Sequence, residues 1–132
     1  NIDYQTLSEG QKQLVFLART MIENTSLLLL DEPDSALDLQ NRYQLMKRLK
    51  EIVGNENKAG LLCLHDPNLA LRYCAQLILL KDGCCVDILY PQRDSMEEME
   101  QAFQQIYGNI SLVECMDKDG ERHLTVLWKE SV

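Results

Sequence analysis

The chain has 132 residues, the size of one small domain, and carries a formal net charge of −8. Such a charge repels phosphate backbones and argues against a general nucleic-acid binder, but it leaves room for a nucleotide held by local backbone N–H groups. No apolar run approaches the roughly 20 residues of a membrane helix, and no secretory or targeting segment is recognisable, so any membrane association is expected through a partner.

The chain opens on Asn1 rather than Met, with a helix predicted inside its first ten residues, and so reads as a piece of a longer protein. Apolar spacing predicts that helix over Glu9–Glu23, with Leu14, Val15, Leu17, Ala18, Met21 and Ile22 on one broad face. Ser8 suits its N-cap, with Gln11 three residues on, as in a capping box. Leu27–Asp31 is a continuous apolar run, the pattern of a strand buried on both faces. Asp38 precedes a second amphipathic helix that turns Leu39, Tyr43, Met46, Leu49 and Val53 inward, and the polar stretch Gly54–Gly60 reads as a loop. Leu61–Leu64 is the next apolar strand and ends at His65 and Asp66. Pro67 then opens a helix that runs to about Cys74.

Leu77–Leu80 is a third apolar strand. It is followed by the turn Lys81-Asp82-Gly83 and a return strand Cys84–Leu89. A helix from Asp94 or Ser95 to Tyr107 places Met96, Met99, Phe103 and Ile106 on its inner face. Ile110–Met116 and His123–Trp128 alternate around Asp117-Lys118-Asp119-Gly120, a terminal hairpin. The alternation of helices and apolar strands in the first part implies an α/β fold with a parallel sheet flanked by helices. The loop before Ser95 is a candidate boundary but not a domain break. The five cysteines show no CxxC pair or metal-ligand spacing and read as reduced, mostly buried thiols.

Three segments carry chemistry. In Leu7-Ser8-Glu9-Gly10-Gln11-Lys12-Gln13, a serine and a glycine at a helix start can offer N–H groups and a hydroxyl to an anion. Taken alone, the pattern reads as a capped helix after a glycine-containing turn. In Leu27-Leu28-Leu29-Leu30-Asp31-Glu32-Pro33, a strand delivers two carboxylates to the sheet edge where such folds bind ligands; one can hold Mg2+ and the other can orient or deprotonate a water. His65, at the end of the next strand, could donate to a phosphate, although a lone histidine there is more often structural. His123 has no such company and reads as a surface or hairpin residue.

The order decides between these readings. Leu7-Ser8-Glu9-Gly10-Gln11, a helix, the leucine run ending Asp31-Glu32-Pro33, then Ser35-Ala36-Leu37-Asp38, a helix and a strand ending at His65 closely resemble the ATP-binding-cassette (ABC) ATPase family. The segments His65–Cys74 and Ile78–Gly83 resemble the family's segments after its switch histidine. The stretch His65–Gly83, then Gln105-Ile106-Tyr107-Gly108 and the hairpin ending at Trp128, resembles the importer ATPases for iron–siderophore, haem and cobalamin complexes.

The resemblance implies that residues 1–132 form the C-terminal part of one ABC ATPase domain, an incomplete P-loop NTPase fold with parallel strands, flanking helices and a C-terminal antiparallel hairpin. It implies that Ser8, Gly10 and Gln11 of the signature contact ATP held by a second ATPase subunit, that Asp31 supports Mg2+, that Glu32 is the general base and that His65 senses the γ-phosphate. Ser35 and Asp38 would lie in the D-loop that crosses the dimer interface. The implied partners are a second copy and transmembrane permease subunits, with the ATPase peripheral to the cytoplasmic face of the membrane.

Two departures matter. Glu9 stands where the family usually has glycine, so its carboxylate is expected to turn to solvent. No GxxxxGK[ST] loop occurs, so the isolated chain is expected to be inactive. The family's strand leading into that loop lies between the strand ending at His65 and Leu77–Leu80. Without it, both edges are expected to be unpaired and prone to association. Competing classes are a DNA-repair-type ABC ATPase, which would carry a long coiled coil before the signature, and a non-catalytic fragment that binds a partner. No heptad run occurs in this sequence.

Overall fold

The computed structural model describes residues 3–55 and 57–130, so the two ends of the 1–132 assignment and Glu56 of the expected loop lie outside the described residues. The chain divides into two compact units, one ending at His65 and the other beginning at Asp66. The loop before Ser95 lies inside the second.

In the first unit a 3-10 turn at Tyr4–Thr6 leads into α1 (Glu9–Ile22), β1 (Leu27–Asp31), α2 (Leu39–Asn55) and β2 (Ala59–Cys63). β1 and β2 pair in parallel, Leu27 opposite Ala59 through Asp31 opposite Cys63. The capping box of α1 is present, and Asp38 caps α2 by accepting from the Asn41 N–H at 2.9 Å. Four expectations need correction. The helix α2 runs through Gly54 to Asn55. The strand β2 begins at Ala59, because Ala59 and Gly60 pair with Leu27 and Leu28 of β1 in spite of their low strand preference. The leucine run is buried on one face only: Leu28 and Leu30 are in the core, whereas Leu27 and Leu29 are 49% and 65% exposed. A two-stranded sheet packed on one side leaves alternate residues uncovered. On α2, Leu45, Met46 and Leu49 are buried, but Leu39 in the first turn is 71% exposed rather than inward.

The second unit runs α3 (Pro67–Tyr73), β3 (Leu77–Lys81), β4 (Cys84–Leu89), α4 (Met96–Tyr107), β5 (Ile110–Met116) and β6 (Arg122–Trp128). β3 pairs with β4, and β5 with β6, both antiparallel. The helix α4, capped by Ser95 and Glu98, packs Met99, Ala102 and Phe103 against Leu77, Leu79, Leu89, Ile110 and Leu112. Asn68 in α3 accepts from the Val126 N–H of β6 at 2.7 Å. Among the described residues the strands form three two-stranded sheets rather than one parallel sheet, and neither β2 nor β3 has a second neighbour. The cysteines also depart from expectation: Cys63, Cys84, Cys85 and Cys115 are exposed and Cys74 is half-buried. Edge strands show their outer faces to solvent, which overrides the usual burial of cysteine.

Candidate functional site

Parallel pairing of β1 and β2 sends the segments after Asp31 and Cys63 out at one edge of the first unit. Glu32 follows Asp31 with its backbone in the left-handed region, φ 46°, and its N–H donates to the Cys63 carbonyl at 3.1 Å. His65 leaves β2 toward the same place, with its Nε2 2.6 Å from Glu32 Oε1. A carboxylate can only accept, so Nε2 carries the proton of this bond. The side chains of His65 and Glu32 are 84% and 45% exposed, open to a ligand. Hydrogen bonding to Glu32, then its charge, with weaker help from Asp34 and Asp31, raises the His65 pKa above its ordinary value of 6.5.

The start of α1 is a capped turn. Ser8 Oγ accepts from the Gln11 N–H at 3.2 Å and Gln11 Oε1 accepts from the Ser8 N–H at 2.9 Å. The Ser8 hydroxyl proton and the Gln11 side-chain amide hydrogens remain the donor groups of this turn. Glu9 turns outward as expected, 82% exposed and paired with Lys12 at 2.9 Å. Gly10 has a reason of its own: a Cβ there would sit 2.8 Å from the Ala36 carbonyl oxygen. The segment between β1 and α2 therefore passes directly under the first turn of α1.

That segment is a chain of tight turns. Ser35 N–H donates to the Glu32 carbonyl at 3.2 Å, Leu37 N–H to the Asp34 carbonyl at 3.1 Å, and Arg42 Nε to the Leu37 carbonyl at 3.0 Å. Ser35 is exposed and Asp34 is buried. Gln13 lies on the same face of α1 as Gly10, three residues on, and reaches this segment with its side chain. Its Nε2 donates to the Glu32 and Pro33 carbonyls at 3.1 and 2.6 Å, and its Oε1 accepts from the Ala36 N–H at 3.1 Å. The sequence shows Gln13 only as the polar residue of that face, with no sign of what it holds.

Asp31 is an exposed carboxylate at the carboxyl end of β1. Mg2+ takes one or two carboxylates and completes its shell with phosphate oxygens and water, so a single exposed acid fits that ion in a nucleotide site. In the second unit, His123 has a partner after all: its Nε2 lies 2.8 Å from Asp117 Oδ2, while Asp117 Oδ1 accepts from the Asp119 and Glu121 N–H groups at 2.8 and 3.0 Å. These contacts, led by His123, lower the Asp117 pKa and fasten the hairpin turn.

The family profile described as ABC transporter matches residues 1–35, from the 3-10 turn through the two carboxylates. An uncharacterised ABC transporter ATP-binding protein of Methanocaldococcus jannaschii is 36% identical over 82% of this chain and 41% of its own length. A Helicobacter pylori protein named for iron chelatin transport is 45% identical over 58% of this chain and 30% of its own length. The chain belongs to the ABC ATPase family. The solved structure of a transporter described as metal-chelate type ABC, in an inward-facing conformation, superposes with a TM-score of 0.80 at 24% identity, over 96% of this chain and 50% of that one. The ABC ATPase fold thus extends through both units, and the chain spans no more than half the length of each of these three proteins.

Proposed function

We propose that this chain is part of the ATP-hydrolysing subunit of an ABC transporter, of the iron-chelate importer type, working as one half of a two-subunit ATP sandwich. The observation that carries the reading is the Glu32–His65 pair at 2.6 Å, set on the ends of two parallel strands and open to solvent. In this reading Glu32 takes the proton of the attacking water through Oε2, because Oε1 is shared with His65. His65 donates a hydrogen bond to the γ-phosphate as charge develops on it. Asp31 would hold Mg2+, which when bound would set positive charge against the phosphates. Ser8, Gly10 and Gln11 face the nucleotide of a second subunit with a helix N-terminus and donors. Ser35 and Asp38 lie at the interface between subunits. The relative named for iron chelatin transport and the metal-chelate type neighbour support the importer reading. Permease subunits would hold the ATPase at the cytoplasmic face of the membrane. The net charge of −8 speaks against nucleic acid as a partner.

The test is phosphate release from Mg-ATP by the full-length protein. Glu32→Gln is expected to abolish turnover while keeping ATP-dependent dimerisation. Undiminished turnover in Glu32→Gln would overturn the assignment. Copurification with a polytopic membrane subunit supports the transporter reading, and copurification with DNA would refute it. The 132-residue chain by itself is expected neither to bind Mg-ATP tightly nor to hydrolyse it, since its sequence contains no GxxxxGK[ST], and micromolar binding by calorimetry would contradict this.

A further inference from the structure

We propose that Gln13 is a positioning residue that sets the direction of the Glu32 carboxylate by holding the backbone from Glu32 to Ala36 against α1. The proposal rests on the ATPase reading of Glu32. The Gln13 side chain fills the gap between α1 and that segment with three hydrogen bonds: two donated to the successive carbonyls of Glu32 and Pro33, one accepted from Ala36. Pro33 has no N–H to give, so from within the stretch is fixed by the Ser35 N–H on the Glu32 carbonyl and the Leu37 N–H on the Asp34 carbonyl, and Gln13 adds the bonds that tie it to α1.

Glu32 most needs fixing. Its φ of 46° lies in the left-handed region, which non-glycine residues leave unless neighbours hold them. It is held on one side by its N–H bond to the Cys63 carbonyl and on the other by Gln13 and the Ser35 N–H, both on its carbonyl. Gly10 completes the arrangement, because the absence of a side chain lets the Ala36 carbonyl close onto the helix. The turn that would face a partner's nucleotide and the carboxylate that would deprotonate the water attacking this subunit's own are therefore joined through one amide. The mechanical consequence is that a pull on the start of α1 reaches Glu32 without passing through the strand.

Two substitutions separate the two halves of the amide. Gln13→Ala removes all three bonds. Gln13→Glu keeps the shape and the acceptor for Ala36 but turns a carboxylate toward two carbonyl oxygens. In the full-length protein, Gln13→Ala is expected to raise amide exchange at Ala36 at least tenfold and to lower kcat at least tenfold, with KM for ATP within twofold. Gln13→Glu is expected to lose kcat to a similar degree while Ala36 stays protected. Unchanged Ala36 exchange in Gln13→Ala refutes the brace. Loss of protection with unchanged kcat, or a kcat loss matched by a proportionate rise in KM, refutes the positioning role. A wild type that releases no phosphate defeats the ATPase reading and the catalytic consequence with it, while Ala36 exchange still decides whether the brace exists.

Discussion

Gly10→Ala isolates the closest approach in the first unit. The added Cβ would meet the Ala36 carbonyl oxygen at 2.8 Å, a separation that real Cβ atoms essentially never show. The obstacle is backbone, and that backbone is held by Gln13 through the neighbouring Ala36 N–H, so it cannot swing aside freely. Forcing a methyl into such a contact costs about 1–3 kcal/mol. Alanine recovers up to about 1 kcal/mol of helix propensity, less in a first turn. The net expectation is a loss of about 1–2 kcal/mol, or roughly 3–8 °C in Tm. Urea unfolding of wild type and variant followed by circular dichroism reads this as a lower midpoint at constant slope. Gly54→Ala is the control: it also lies in a helix, but a Cβ there meets nothing within 4 Å. It is expected to gain about 0.5 kcal/mol. If Gly10→Ala matched that gain, the Ala36 carbonyl would be yielding and the close approach would not be what reserves the position for glycine.

Three further outcomes are expected from the same geometry. Glu32→Asn replaces a side chain ill suited to φ 46° with one that tolerates it, and should gain roughly 0.5–1 kcal/mol in a melt while abolishing phosphate release. The raised His65 pKa gives stability that is complete below the unfolded value near 6.5 and is lost as pH rises through the higher folded value. In an NMR titration, Glu32→Gln should bring His65 back toward 6.5, and an unmoved midpoint would contradict the pairing. Leu28→Ala should cost about 2–4 kcal/mol, whereas Leu29→Thr should change stability by less than about 0.5 kcal/mol, because only the first is buried.

Much of this was legible in the sequence where the signal is local. Ser8 and Gln11 announce their capping box by spacing, Asp38 its cap, and Asp117–Gly120 its turn. The placement of Glu32 and His65 at a common edge comes from two apolar strands with a helix between them. What stayed hidden depends on partners distant in sequence. Leu27–Asp31 spells the same run whether one face of its sheet is covered or two. The start of β2 at Ala59 depends on the register offered by β1. Exposure of Cys63 and Cys115 reflects the sheet edges rather than the residue. The Gln13 brace joins α1 to a segment beyond the next strand, and no periodicity encodes such a contact. The left-handed turn at Glu32 was invisible for a further reason, since nothing about a glutamate announces a conformation that glycine or asparagine would favour.

The bond from Asn68 to the Val126 amide, with α3 packed on β6, joins the beginning of the second unit to its end. During synthesis α3 emerges first and β6 last. The Asn68 side chain therefore waits for the Val126 N–H until almost the whole unit has been made. A contact between residues so far apart in the chain forms slowly, and the interval before it closes is when the unit is most open to proteases and to association with other nascent chains.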